Sequence, residues 1–222
     1  MTSWQATELS ALTVGVLGGT GDQGRGLALR LGLAGVPVVL GSRDPARAQA
    51  AAADLPEDVR GTDNRSCAGE ASVVVVAVPW QGHAALLAEV AAELTGKVVV
   101  DCVNPIGFDK QGAYPLPVAE GSACQQAAAL LPASYVVGAF HHLSAVQLLD
   151  PAREEIEGDV LVVGDDRAAT DLVQSLVGLI PRLRGIYAGR LRNAGQVEAL
   201  TANLISVNRR YKAHAGIRVT DV

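Results

Sequence analysis

Four valines stand in a row at residues 73–76, inside the run ASVVVVAVP (71–79). A strand with one wet face alternates apolar and polar residues, so an unbroken run of β-branched side chains has to be covered on both faces. The chain repeats this feature in LTVGVLG (12–18), VPVVLG (36–41), KVVVDCV (97–103) and SYVVGAF (134–140). Helical segments lie between these runs. GRGLALRLGLAG (24–35) spaces Leu27 and Leu31 four apart and stops at Gly35, DPARAQAAAADL (44–55) offers Asp44 as N-cap and Pro45 at the first helical position, and HAALLAEVAAEL (83–94) carries an apolar stripe. His83, placed just ahead of that stripe, reads as structural. Strand and helix in alternation predict an α/β fold with a Rossmann-type, doubly wound, mostly parallel sheet.

Past about residue 150 the pattern restarts with GDVLVVG (158–164), DRAATDLVQSLVGLI (166–180) and RLRGIYAG (182–189). A last helix is expected over about 190–214, with an apolar stripe at Val197, Leu200, Leu204, Val207 and Tyr211. This predicts a small C-terminal α/β extension, 151–222, behind a main domain, 1–150. The Gly- and Pro-rich segment 104–121 reads as a long loop, and such loops are usually functional.

A net charge of −5 argues against nucleic acid as a partner. The opening residues MTSWQATELSALT lack the pattern of a secretion signal, and no apolar run reaches the roughly 18 residues of a membrane span. Cys67, Cys102 and Cys124 are odd in number and without metal-ligand spacing, which reads as reduced thiols, no metal site and a cytoplasmic protein.

The chemistry sits in the stretch VLGGTGDQGRGLALRL (16–31). Gly19, Thr20, Gly21, Asp22, Gln23 and Gly24 fit G-x-G-x-x-G between a strand and a helix, the context in which backbone N–H groups cradle a pyrophosphate at a helix N-terminus. The second strand then selects the dinucleotide. An NAD site usually places an acid at its end to bond the ribose 2′-hydroxyl, whereas this chain reads Gly41-Ser42-Arg43, with Arg47 one helical turn on. Guanidinium forks suit a 2′-phosphate, so the expected cofactor is NADP(H) and residues 1–150 are its domain.

These residues resemble the NADPH-dependent reductases of coenzyme F420, an 8-hydroxy-5-deazaflavin with a phosphate- and glutamate-bearing tail. The resemblance runs through GVLGGTGDQGRGLALRL, GSR, VAVPW (76–80), DCVNPIGFDKQG (101–112), AFHHLSAVQLLD (139–150) and VVGDD (162–166), nearly the whole chain. It implies that Thr20 to Gln23 line the pyrophosphate and that Ser42, Arg43 and Arg47 hold the 2′-phosphate. It places Val78, Pro79 and Trp80 along the nicotinamide, and Asn104, Pro105, Ile106 and the stretch from His141 to Ala145 around the nicotinamide and deazaflavin. It gives the C-terminal segment 151–222 a part in the deazaflavin site, and because the family is usually dimeric, a homodimer is expected, with its contact on that segment and its striped last helix.

Hydride transfer between stacked rings needs closeness and dryness more than a protein acid. The chain accordingly shows no G-x-S-x-G, no H-E-x-x-H and no P-loop lysine. No catalytic side chain is assigned unless His141 serves as one; His141 and His142 either bond the deazaflavin edge or close a loop. Two other readings stay open at this point: an NADP-dependent reductase of a flavin, ferric chelate or small carbonyl compound, and a non-catalytic NADP sensor. Arg182, Arg184, Arg190, Arg192, Arg209, Arg210 and Lys212 concentrate positive charge late in an acidic chain. They either attract an anionic tail or sit as solvated helix ends.

Overall fold

A computed structural model of the chain describes residue 9 and residues 11–222. Its strands, numbered in chain order, are β1 Val14–Leu17, β2 Val38–Ser42, β3 Val59–Asp63, β4 Val73–Val76, β5 Val98–Asp101, β6 Ile106–Asp109, β7 Gly112–Pro115, β8 Tyr135–Gly138, β9 Gly158–Gly164 and β10 Leu183–Gly189. The helices are α1 Asp22–Leu33, α2 Pro45–Ala52, α3 Asn64–Glu70, α4 Trp80–Val90, α5 Ala123–Leu130, α6 Ala145–Leu149, α7 Arg167–Gly178 and α8 Ala194–Tyr211. Eight strands form one sheet in the order β10-β9-β8-β5-β4-β1-β2-β3, while β6 and β7 make a separate antiparallel hairpin. Every neighbouring pair in the large sheet is parallel except β8 with β9.

The uninterrupted valine runs explain the layering. Val14, Val16, Val38, Leu40, Val73 and Val75 point to one face, packed under Leu27 and Leu31 of α1, Ala48 of α2 and Leu148 of α6. Leu17, Val39, Val74, Val76 and Val99 point to the other, under Cys67 of α3, Leu87 of α4, Ala127 of α5 and Val197 of α8. Both faces are dry, as the sequence demands of such strands.

Register aligns the carboxyl ends of the central strands: Leu17 lies beside Val76, Val76 beside Asp101, and Asp101 beside Gly138. The loops leaving them open along one edge, on either side of the point between β1 and β4 where the winding reverses. Open α/β sheets bind ligands at that place. The loop after β8 is pinned there from behind. On α1, a Cβ at Gly26 would come within 2.6 Å of the Leu148 Cβ, so glycine permits the close approach of α6. Buried Arg30 then donates to the carbonyls of Gln147, Leu148, Asp150 and Arg153, supplying bonds that the short helix α6 cannot make for its own end.

Several elements differ from the expectation. β3, VRGTD, is an edge strand with only Val59 buried, so it lacks the valine signature. The long loop expected over 104–121 contains the β6–β7 hairpin, whose turn is set by Asp109 Oδ1 accepting from Gln111 N (2.7 Å) and Gly112 N (3.1 Å), with Gly112 at φ +126°. The last helix is shorter than 190–214 and follows a 3-10 turn, Leu191–Asn193. The segment 151–222 adds β9 and β10 to the edge of the same sheet, and α8 crosses back to the opposite face.

Candidate functional site

A cleft of about 450 Å³ opens at the carboxyl edge of the sheet. Gly21, Asp22 and Gln23 line one end, Val78 and Pro79 the middle, and Asn104 with the loop from His141 to Ala145 the other. Thr201, Leu204, Ile205 and Asn208 of α8 close it.

The glycines of the first loop divide by what a Cβ would meet. At Gly18, with φ +72°, it would lie 2.4 Å from Val78 Cγ1. At Gly19 it would lie 2.7 Å from Leu40 Cδ2, and at Gly24 2.8 Å from the Gly19 Cα. Those three are required by packing. Gly21 is not: its φ of −80° and ψ of 163° suit any residue, and its Cβ would find nothing nearer than Gly18 O at 3.6 Å. The missing side chain at 21 therefore leaves room for something other than protein, directly at the start of α1.

That helix start is chemically open. Side chains of Asp44, Asp63, Ser122, Ser144 and Asp166 cap α2, α3, α5, α6 and α7. Among the described residues no side chain caps α1 at Gly21 or α4 at Pro79, and both ends face the cleft. Free N–H groups and the positive end of the α1 dipole point at the space beside Gly21, which fits a pyrophosphate. Along the same edge, exposed Arg43 and Arg47 stand at the end of β2 and on α2, and neither meets a carboxylate among the described residues. Ser42 is spoken for in part, because its Oγ accepts from Asp44 N at 3.2 Å.

The far end of the cleft rests on a buried polar network. His83 lies inside α4 rather than ahead of a helix, fully buried, with Nε2 2.6 Å from Asp101 Oδ2 and Nδ1 3.0 Å from Gln126 Oε1. Burial opposes its charge, but the bonds to Asp101 and Gln126 outweigh burial and raise its pKa. When the ring is protonated both nitrogens donate to these oxygens, and Asp101 Oδ1 also accepts from Val103 N at 2.9 Å, fixing the loop that carries Asn104. Asn104 Nδ2 donates to the carbonyl of His141 at 2.7 Å, and Thr201 Oγ1 donates to the same carbonyl at 3.1 Å. Gln23 Nε2 donates to the carbonyl of Phe140, a residue held at φ +63°. Three elements thereby clamp the His141 loop.

Burial pushes the His141 and His142 imidazoles down to about 4, so both are neutral at pH 7. His142 Nε2 accepts from Leu161 N at 3.3 Å, which puts its proton on Nδ1. The Nδ1 atoms of His141 and His142 are buried and have no partner among the described residues. Asp101, Cys124 and His141 bring ligand-type atoms within 4.8 Å of one another, a grouping drawn from separate elements that spacing could not show. Its members are engaged: Asp101 by His83 and Val103, and Cys124, whose thiol burial holds well above its usual value, with Sγ 3.6 Å from His141 Nε2.

Comparison with known proteins decides between readings of this edge. A family model described as NADP oxidoreductase coenzyme F420-dependent matches residues 13–105. A Methanothermobacter marburgensis protein named F420-dependent NADP reductase is 39% identical over 223 residues, covering 95% of this chain and 99% of that protein. The chain belongs to the F420-dependent NADP reductase family. A Methanocaldococcus jannaschii protein of the same name is 33% identical, covering 95% of this chain and 99% of its own length. A crystal structure from Arthrobacter sp. FB24, described as a candidate F420-dependent NADP-reductase, is 28% identical with a TM-score of 0.80, covering 95% of this chain and 100% of that one.

Within this family member, Gly21, Asp22, Gln23, Val78, Pro79, Asn104, His141 and Ala145 come together on the cleft wall. Gly19 and Gly24 are buried beneath the turn, while Thr20, Ser42, Arg43 and Arg47 lie outside the cleft itself. Trp80, Pro105 and Ile106 are not on its wall. The Trp80 ring lies 5.5 Å from that of His83, tilted by 32°. Pro105 is buried with its carbonyl accepting from Leu116 N, and Ile106 starts β6 opposite Pro115. The sequence reading gives the C-terminal segment 151–222 a part in the deazaflavin site but places none of the α8 residues on this wall. Its signal was Thr201 and Asn208, polar residues seven apart beside the apolar stripe, which put polar groups on a face otherwise packed.

Proposed function

We propose that the protein transfers a hydride reversibly between NADP(H) and the deazaflavin coenzyme F420. The observation that carries this reading is the Gly21 opening at an uncapped helix, continuous with a cleft whose far half has apolar walls and neutral histidines. NADPH supplies the hydride and the deazaflavin ring accepts it when both are bound. Strand order sets the layout of the groups that hold them: Arg43 and Arg47 beyond β2, Gly21 after β1, Val78 and Pro79 after β4, Asn104 after β5 and the His141 loop after β8. Arg43 and Arg47 hold the 2′-phosphate, with Ser42 beside them. The α1 N–H groups beside Thr20 to Gly24 hold the pyrophosphate.

In the reacting half, Val78, Pro79 and Leu143 exclude water and press the rings together, with the neutral His141 and His142 standing in the same wall. No general acid is needed there. Trp80, Pro105 and Ile106 act behind this wall, through His83 and the hairpin. Residues 1–150 carry the dinucleotide, and 151–222 close the deazaflavin side through α8. A homodimer is proposed on Val207 and Tyr211, which leave the C-terminal half of the α8 stripe exposed. Among the described residues no helix is long and apolar enough to cross a membrane, and the unpaired Cys67, Cys102 and Cys124 favour the reducing cytoplasm.

The test mixes the protein and NADPH separately with oxidised F420, a free flavin and a ferric chelate. Loss of the deazaflavin's visible absorbance at a rate exceeding turnover of the other acceptors is expected. Faster reduction of another acceptor, or NADPH binding without turnover of any, would contradict the proposal.

A further inference from the structure

We propose that a second groove, between the β6–β7 hairpin and the last turns of α8, binds the anionic tail of the deazaflavin through Arg209 and Arg210; this rests on the proposed F420 reductase function. The groove has a volume of about 510 Å³ and is lined by Phe108, Gln111, Ile205, Ser206, Arg209 and Arg210, with Asp109, Gly112 and Ala113 completing the wall. Ile205 lines both this groove and the cleft, so the two spaces share a wall and differ only in the side of α8 they occupy. A ring seated against Asn104 and Ile205 can lead its side chain past Ile205 into the groove.

The late basic residues separate by partner. Arg184 forks onto Asp159 with both bonds at 2.7 Å, Arg182 pairs with Glu155 and Glu157, and Arg190 with Asp165. Arg209 and Arg210 meet no carboxylate among the described residues, although they lie on the groove wall. The one acid on that wall, Asp109, already binds two amides of its own turn through Oδ1. Two uncommitted guanidinium forks at the end of a groove suit phosphate and carboxylate groups, and the exposed Phe108 ring offers a surface for the tail's apolar stretches. At about 100° per residue, Val207 and Tyr211 centre about 150° around the helix from Ile205, Ser206, Arg209 and Arg210, so the proposed dimer surface and this groove are neighbouring but different faces of α8.

The experiment compares Arg209→Glu/Arg210→Glu with the parent, using F420 and a truncated deazaflavin that lacks the phosphate and glutamates. The Michaelis constant for F420 is expected to rise at least about ten-fold more than that for the truncated form, with the parent's F420 constant rising with ionic strength. Arg209→Lys/Arg210→Lys should recover most of the loss. Equal effects on both deazaflavins, or none on either, would overturn the tail assignment while leaving the reductase function standing. Absence of F420 turnover in the parent would overturn both.

Discussion

Replacing Gly21 by valine should separate cofactor binding from folding. The backbone at 21 is extended, φ −80° and ψ 163°, and a Cβ there meets only Gly18 O at 3.6 Å. Valine adopts this conformation readily, and loss of glycine's unfolded-state freedom stabilises by about 0.4–1 kcal/mol. A less suitable N-cap costs a similar amount, so net stability should stay within about 1 kcal/mol, a shift of about 2–4 °C in Tm. Binding should not survive so well. The side chain fills the space next to the free N–H groups of α1, and each charge-assisted bond lost there is worth about 1.5–3 kcal/mol. One or two such bonds correspond to a rise in Kd of at least about ten-fold, and up to about twenty-thousand-fold. Thermal unfolding and NADPH titration calorimetry on the same sample read both quantities. Gly24→Ala is the contrast, because its Cβ would sit 2.8 Å from the Gly19 Cα, and it should lower Tm as well. A well-folded Gly21→Val protein that binds NADPH as tightly as the parent would refute the assignment of this opening to a pyrophosphate.

Arg43→Ala should lower kcat/KM for NADPH by about ten- to a hundred-fold and leave NADH within about two-fold, since one partly solvated guanidinium–phosphate contact is lost far from the reacting rings. An unchanged NADPH preference would place the 2′-phosphate elsewhere. Arg30→Met leaves the carbonyls at the end of α6 without donors and should destabilise by about 3 kcal/mol, about 6–12 °C in Tm; a Tm equal to the parent's would show that the His141 loop needs no such anchor. The raised pKa of His83 gives stability that is full below the ordinary histidine value and lost as pH rises through the folded value. Melting temperature should therefore fall more steeply in the parent than in His83→Gln as pH rises above about 6.5; parallel curves would mean that folding does not raise the His83 pKa.

The large sheet was legible because its central strands are buried on both faces, and unbroken valine is hard to place anywhere else. β3 was not, since an edge strand needs only one buried side chain and VRGTD shows no more than that. The β6–β7 hairpin was hidden for a related reason: its residues are half-exposed, and its turn depends on one Asp side chain. At the site, local motifs carried the reading. Gly21 and the Ser42-Arg43 pair declare themselves by spacing from a strand. Trp80 and Ile106 stand off the cleft wall because adjacency in sequence does not fix direction: Pro79 lines the cleft while the next side chain turns toward His83. The Asp101–His83–Gln126 network and the α8 wall join elements distant in the chain, and no single stretch contains them.

The central claim is that the cleft holds the two rings against one another with water excluded. Stereospecifically deuterated NADPH, labelled on the transferred C4 position, tests it directly when mixed with the protein and oxidised F420 in ordinary water. Mass spectrometry of the reduced deazaflavin should find the deuterium retained at C5 in nearly every molecule. Reduced F420 without the label would show that the hydrogen came from solvent, and would contradict direct transfer between rings juxtaposed by Val78, Pro79 and the His141 loop.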